Sequence, residues 1–117
     1  MKTVKNKISV LLSVFNGEKT LQRSVESILT QSYKDFELLI LDDGSDDATE
    51  SICNSFVDDR IKFFKLNHNQ GLTKSLNYLA SFADGEFLAR QDADDISLNL
   101  RFEKQINLFK EDNELDF

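Results

Sequence analysis

Two hydrophobic periods alternate along the chain. Ile8-Ser9-Val10-Leu11-Leu12 is a short, nearly continuous apolar run, the pattern of a strand buried on both faces. Leu21, Val25, Ile28 and Leu29 then recur at i, i+4, i+7 and i+8, which predicts an amphipathic helix. Residues 36–41 read as a second strand, closed by the turn Asp42-Asp43-Gly44-Ser45. Asp47-Ala48-Thr49-Glu50 has the spacing of an N-cap with a reciprocating Glu, predicting a second helix through about Val57. Residues 61–66 form a third apolar run, and Leu72, Leu76, Leu79 and Ala80 a third helical stripe. Phe87-Leu88-Ala89 predicts a fourth strand. Leu98, Phe102, Ile106 and Phe109 predict a fourth helix, beginning near Ser97. Strand–helix units at about 25-residue spacing imply an α/β fold, a doubly wound and mostly parallel sheet. Residues 114–117 resemble the start of a fifth strand, so the chain is expected to be the truncated front part of something longer.

Composition narrows the class. With 117 residues, the chain is one domain with room for a core. Ten Phe and no Trp suggest a core built around phenylalanine. No run approaches the roughly 18 apolar residues of a membrane span, and no signal-peptide pattern is present, so a cytoplasmic protein is expected. A single cysteine, Cys53, excludes an internal disulfide and a Cys-rich metal site; a small buried residue is the expected role. The formal charge is −7, with 21 acidic residues against 14 basic, and no basic stripe offers itself to a nucleic-acid backbone.

In open α/β sheets, ligands bind beyond the carboxyl ends of the strands, near the switch in strand order. The segments in that position are Ser13-Val14-Phe15-Asn16-Gly17, Asp42-Asp43-Gly44-Ser45, Asn67-His68-Asn69-Gln70-Gly71 and Asp92-Ala93-Asp94-Asp95. No Gly-x-Gly-x-x-Gly and no phosphate-cradling Gly-Lys-Ser loop occurs. A phosphate-rich ligand can still be held where carboxylates grip a divalent cation, and Asp-x-Asp on a turn with a small middle residue suits that task. Plainer roles compete at each position. Asp92 and Asp94 can be turn residues near a helix N-terminus, Asp95 a helix cap, and Asp42 and Asp43 an Asx turn. Phe15 can be core or a ligand wall. His68 and Lys74 read as solvated, and Arg101 as either an ion-pair partner of the acidic loop or a site residue. A phosphoacceptor signalling domain needs an acidic pair after the first strand and an Asp after the third; Ser13-Val14-Phe15 and Asn67-His68-Asn69 do not supply them.

Taken together, these blocks resemble the nucleotide-binding half of the family-2 glycosyltransferases, inverting enzymes with the Rossmann-like GT-A fold. The matching segments are residues 8–16, 27–32 and 36–45, then Asn69-Gln70-Gly71, Asn77 and Asp92-Ala93-Asp94-Asp95, in the family's order over roughly residues 8–110. The resemblance implies that Ser13 and Phe15 line a base pocket, with Phe15 stacking on a uracil-like ring. It implies that Asp43 accepts a base N–H, that Asp92 reaches the ribose, and that Asp94 ligates Mn²⁺ or Mg²⁺ bridging the diphosphate. The donor implied is a nucleotide sugar, most naturally a UDP-sugar. The acceptor implied is a glycan or lipid-linked molecule, used in surface polysaccharide synthesis at the inner face of the membrane. Family members often carry proline at the Ser13 position and tyrosine at Phe15; stacking survives the second change, while a phenol hydrogen bond does not. The catalytic base and acceptor-binding half lie beyond this length in the family, so residues 1–117 correspond to the nucleotide-sugar-binding portion and no catalytic residue is assigned. A nucleotide-binding module without transferase activity is the alternative.

Overall fold

The computed structural model describes residues 3–111. Strands β1 (Val4–Val14), β2 (Phe36–Asp43), β3 (Ile61–Leu66) and β4 (Gly85–Arg90) alternate with helices α1 (Leu21–Leu29), α2 (Thr49–Ser55), α3 (Leu72–Ala80) and α4 (Arg101–Glu111). The sheet order is β3-β2-β1-β4 and every pairing is parallel, as the alternating pattern implies. The strand order reverses at β1, which lies between β2 and β4. The apparent fifth strand at residues 114–117 falls outside the described residues.

Both faces of the sheet are covered, which is why its central strands read as continuous apolar runs. All eight residues of β2 are buried. Ile8, Val10, Leu12 and Val14 of β1, with Leu38 and Ile40 of β2, pack against Leu21, Val25 and Ile28 of α1 and Phe102 and Ile106 of α4. The opposite face sets Leu11, Leu39 and Leu41 against Leu79 of α3. Each such aliphatic side chain contributes about 1.5–3 kcal/mol through burial. The core is less phenylalanine-centred than composition suggests. Phe36, Phe87 and Phe102 are buried, whereas Phe15 and Phe82 are exposed, because Leu, Ile and Val fill the two-sided strands more compactly. Cys53 is a core residue, and burial, with help from the Asp42 and Glu50 carboxylates, pushes its thiol up to about 12.

Two helix starts differ from the sequence pattern. Asp47 does not cap α2 in a reciprocal box: it binds Thr49 N–H and the Thr49 hydroxyl, while Glu50 pairs with Lys65 Nζ at 2.9 Å. The cross-strand lysine outcompetes the short-range box. Helix α4 begins at Arg101 and not near Ser97, so Asp95 is not its cap and Leu98, 80% exposed, is not on its apolar stripe. Residues 92–100 form the connection instead, held by side-chain hydrogen bonds that a hydrophobic pattern does not register.

At the amino-terminal end of the sheet a buried charge cluster replaces apolar packing. Glu37, 2% exposed, accepts from the Ser9 hydroxyl at 2.6 Å and from Asp84 N–H at 2.9 Å, with Lys62 Nζ 2.9 Å away. Lys7 Nζ sits 2.8 Å from Asp84 and 3.8 Å from Glu37. Opposite charges and hydrogen bonds together offset the desolvation of Glu37. The Lys7 hydrogen bond holds the Asp84 carboxyl below its ordinary value. A depressed native value contributes stability above the unfolded-state value, and that stability is lost as pH falls through the native one. Asp84→Asn is therefore expected to lower urea stability at pH 7, with the gap to wild type closing below about pH 4. A gap that persists unchanged at pH 3 contradicts this assignment.

Candidate functional site

The carboxyl edge of the sheet gathers four loops, and side chains lock them together. The β1–α1 loop is fastened to the β2–α2 loop. Asn16 N–H donates to Ser45 Oγ at 2.8 Å, Asp46 N–H to Asn16 Oδ1 at 3.0 Å, and Gly17 N–H to Thr49 Oγ1 at 2.9 Å. Gly17 also sits where a side chain has no room. A Cβ there would meet Val14 Cγ2 at 2.5 Å and stand 3.7 Å from Ala93 Cβ, so a side chain at this position would reach the acidic loop after β4. Gly44, at φ +80°, lies so close to the β3–α3 loop that a Cβ would meet Asn69 N at 2.7 Å. Only glycine meets both conditions at that point.

Asp42 and Asp43 divide their work. Asp42, fully buried, accepts from Ser45 N–H at 2.9 Å, the Asx turn that its position suggests. Asp43, 2% exposed, accepts from Gln70 N–H at 2.8 Å and Gly71 N–H at 3.0 Å. A carboxylate at the start of α3 takes up orphan amides and is favoured by the helix dipole. Asn69-Gln70-Gly71 is thus held to the end of β2 by one side chain. Ser13 is half-buried at the end of β1, and Phe15 lies just past the strand with 51% of its surface exposed, outside the core.

Beyond β4, Asp92, Asp94 and Asp95 are exposed and bring one carboxylate oxygen each within 4.8 Å of the others. Ala93 turns inward and packs against the core, which lets its neighbours face out. Oxygens on opposite sides of an octahedral Mg²⁺ stand about 4.2 Å apart, so a small closure of these three would fit a hard divalent cation. Arg90 approaches Asp92 at 3.4 Å. A cavity of about 540 Å³ beside this loop is lined by Arg90, Asp95, Ser97, Arg101 and Lys104 among others, but not by Ser13, Phe15 or Asp43. Of the acidic group only Asp95 borders that cavity; Asp92, Asp94, Ser13, Phe15 and Asp43 gather at the strand ends outside it. His68 and Lys74 are exposed, as expected of solvated positions.

The residues that organise the acidic loop are ones that sequence reading passes over. Gln91, 3% exposed, donates from Nε2 to Ser24 Oγ and to Asp95 O, both at 3.0 Å. Its Oε1 accepts from Ser97 Oγ at 2.6 Å and from Arg101 at 3.0 Å. Ser24 Oγ donates to Asp92 O at 3.0 Å, and Ser27 Oγ accepts from Ser97 N–H at 3.0 Å. Gln31, fully buried, donates to Leu98 O at 2.7 Å and accepts from Phe102 N–H at 3.1 Å. Arg101, the residue with two readings, donates to Gln91, Ser97 and Arg90 O and makes no ion pair with the acidic loop. A usable signal was present: Ser24, Ser27 and Gln31 recur at i, i+3 and i+7 beside the apolar stripe of α1, the place for small polar groups that face another element.

Comparison with known proteins gives these features a family. A family model described as Glycosyl transferase family 2 matches residues 9–116. The EpsE protein of Bacillus subtilis (strain 168) is 46% identical over 103 residues, covering 86% of this chain and 37% of that protein. The UDP-Glc:alpha-D-GlcNAc-diphosphoundecaprenol beta-1,3-glucosyltransferase WfgD of Escherichia coli is 34% identical over 106 residues, 91% of this chain and 42% of that one. The crystal structure of S. aureus TarS 1-349 in complex with UDP-GlcNAc superposes with a TM-score of 0.86 at 27% identity, covering 92% of this chain and 32% of that one. The chain thus spans between a third and somewhat over two-fifths of the length of the curated relatives it matches. With an all-parallel sheet that reverses at β1, a GT-A-type arrangement of strand ends and a family match over nearly its whole length, this chain belongs to glycosyl transferase family 2.

Proposed function

We propose that residues 1–117 hold the nucleotide sugar, a UDP-sugar, for an inverting glycosyltransferase, and that a divalent cation, Mn²⁺ or Mg²⁺, joins its diphosphate to the acidic loop. The observation that carries this reading is the convergence of Asp92, Asp94 and Asp95 at the strand-order reversal, beside an exposed aromatic ring at the end of β1. Phe15 supplies a stacking face, with Ser13 beside it. Asp43 retains a free lone pair on each oxygen after taking two backbone amides, and one of these accepts the base N–H. Asp92 reaches the ribose and Asp94 ligates the cation. Such a cation stabilises the charge that develops on a departing diphosphate. The chain's net charge of −7 makes the cation more than an accessory, because carboxylates alone repel a diphosphate.

The TarS structure with UDP-GlcNAc supports a uridine nucleotide, and the diphosphoundecaprenol-linked acceptor named for WfgD supports a lipid-linked glycan acceptor. We place the acceptor pocket and catalytic base in the part of a longer protein that the relatives have beyond this match, and the setting in the cytoplasm at the inner membrane face. Surface polysaccharide synthesis is the process proposed. No helix among the described residues is long and apolar enough to cross a membrane.

Isothermal titration of UDP with and without Mn²⁺ tests the central claim. Affinity should rise at least about tenfold with the metal, a difference of about 1.4 kcal/mol, and Asp94→Ala should remove most of that gain. Equal affinity in both conditions would sink the metal-bridge reading.

Phe15 gives an independent check. Base–aromatic stacking is worth about 1–3 kcal/mol, so Phe15→Ala should weaken UDP roughly 5- to 150-fold. Because the ring is half exposed, the melting temperature should stay near the wild-type value. Unchanged UDP affinity with a lowered melting temperature would assign Phe15 to packing.

A further inference from the structure

We infer that Gln91 and Arg101 are positioning residues, a latch that sets the acidic loop in the spacing its cation requires; this rests on the metal–diphosphate reading above. The loop from Asp92 to Ser97 has little apolar anchorage of its own. Asp92, Asp94, Asp95 and Ile96 are all exposed, and Asp95 N–H to Asp92 O, at 3.0 Å, closes a single turn. Three carboxylates within 4.8 Å repel one another, so without restraint the turn would open.

The restraint comes from below. Gln91 is the last residue before the acidic run, and its own N–H is bound to Leu11 O of β1 at 3.0 Å, which ties it to the central strand. Its side-chain amide then reaches forward to Asp95 O and sideways to Ser24 of α1, whose hydroxyl holds Asp92 O, so one end of the Asp92–Asp95 turn is tethered to α1 directly and the other through Gln91. Arg101 fixes the orientation of that amide. One guanidinium nitrogen bonds Gln91 Oε1 and Ser97 Oγ, both at 3.0 Å, and the other bonds Arg90 O at 3.0 Å. A planar fork spreads its donors over two nitrogens and bridges these partners at once; an ammonium has its three donors on one nitrogen and lacks that reach. The amide is specific as well. A carboxylate at position 91 would face the Asp95 carbonyl without a proton to offer, and a leucine would leave the Ser24, Ser97 and Arg101 groups without their partner. The arrangement matches what outer-shell partners do for metal ligands, whose loss lowers metal affinity by about 10- to 100-fold.

The test uses the 117-residue chain with Gln91→Leu and Arg101→Lys, and Glu37→Gln as a control variant at the far end of the sheet. Amide hydrogen exchange of residues 92–97 reads the latch, and titration of Mn²⁺ and UDP well below the melting temperature reads its consequence. The expected result is faster exchange in 92–97, unchanged exchange in β1 and β2, and a fall in Mn²⁺–UDP affinity of about 10-fold or more for Gln91→Leu, less for Arg101→Lys. Glu37→Gln should lose melting temperature but keep the wild-type affinity. Unchanged exchange in 92–97 overturns the latch. Faster exchange with wild-type affinity overturns the positioning role while leaving the metal site standing. A wild-type chain that binds UDP equally with and without Mn²⁺ overturns the site reading, and the positioning role with it. Should Gln91→Leu fail to fold, Arg101→Lys alone decides.

Discussion

The pairing of β4 with β1, and not with β3, is the constraint on which the rest of the structure depends. Three strands are laid down in one direction from β1 to β3, and the fourth returns to the other side of β1. The loops that follow β1 and β4 therefore leave adjacent strands and run to helices on the same face of the sheet, α1 and α4, so they lie side by side at its carboxyl edge, the edge where open α/β sheets bind ligands. Phe15 and Asn16 follow one strand and the Asp92–Asp95 turn the other, and a Cβ at Gly17 would come into van der Waals contact with Ala93, 3.7 Å away. The same reversal accounts for the small residues at that contact. A larger side chain at position 17 would strike Val14 and press toward the acidic turn.

Loops at a buried sheet edge must satisfy their backbone polar groups, and this chain does so largely with side chains. Asp43 takes two amides of the β3–α3 loop and Asp42 one of its own turn; in the β4–α4 connection Ser27 takes the Ser97 amide, while Ser24, Gln91 and Gln31 donate to the carbonyls of Asp92, Asp95 and Leu98. Each buried group left unpaired would cost about 1–3 kcal/mol. The result is a site built on loops that are tied to the sheet and to one another by side-chain hydrogen bonds, which suits a ligand that must be placed accurately.

Charge is sorted along the sheet. At the amino-terminal end, Lys7 and Lys62 compensate Glu37 and Asp84. Lys65 is engaged with Glu50, and Arg101 with neutral oxygens. Among the described residues Arg90 makes an ion pair with the acidic cluster, at 3.4 Å from Asp92, and Asp95 acts on the Arg101 guanidinium through its charge without an ion pair. An acidic face with so little compensation favours a cation over a bare anion.

The chain order of strands and helices, the parallel sheet, and the strand-end location of Phe15 and the aspartates were all legible in the sequence, because each depends on local periodicity or on a motif within a few residues. The limits of that reading are equally physical. Asp47 and Glu50 have capping spacing, yet Lys65 of β3 draws Glu50 away, and nothing within the segment announces a partner from another strand. Leu98 fits a helical stripe by spacing, but Gln31, just past α1, and Gln91, just past β4, bind that connection, and the helix begins only at Arg101. Asp43 looks like a ligand-facing turn residue, and only the approach of the β3–α3 loop gives it two backbone amides to hold. Gln91 and Arg101 carry no recognisable motif, because their role depends on partners up to 67 residues away in the chain. Local sequence determined the elements and where the chemistry would gather. The tertiary structure decided which polar side chains would face solvent and which would hold the loops: the spacing of Ser24, Ser27 and Gln31 marks a polar face, but the partners of a hydrogen bond between distant segments are set only by folded geometry.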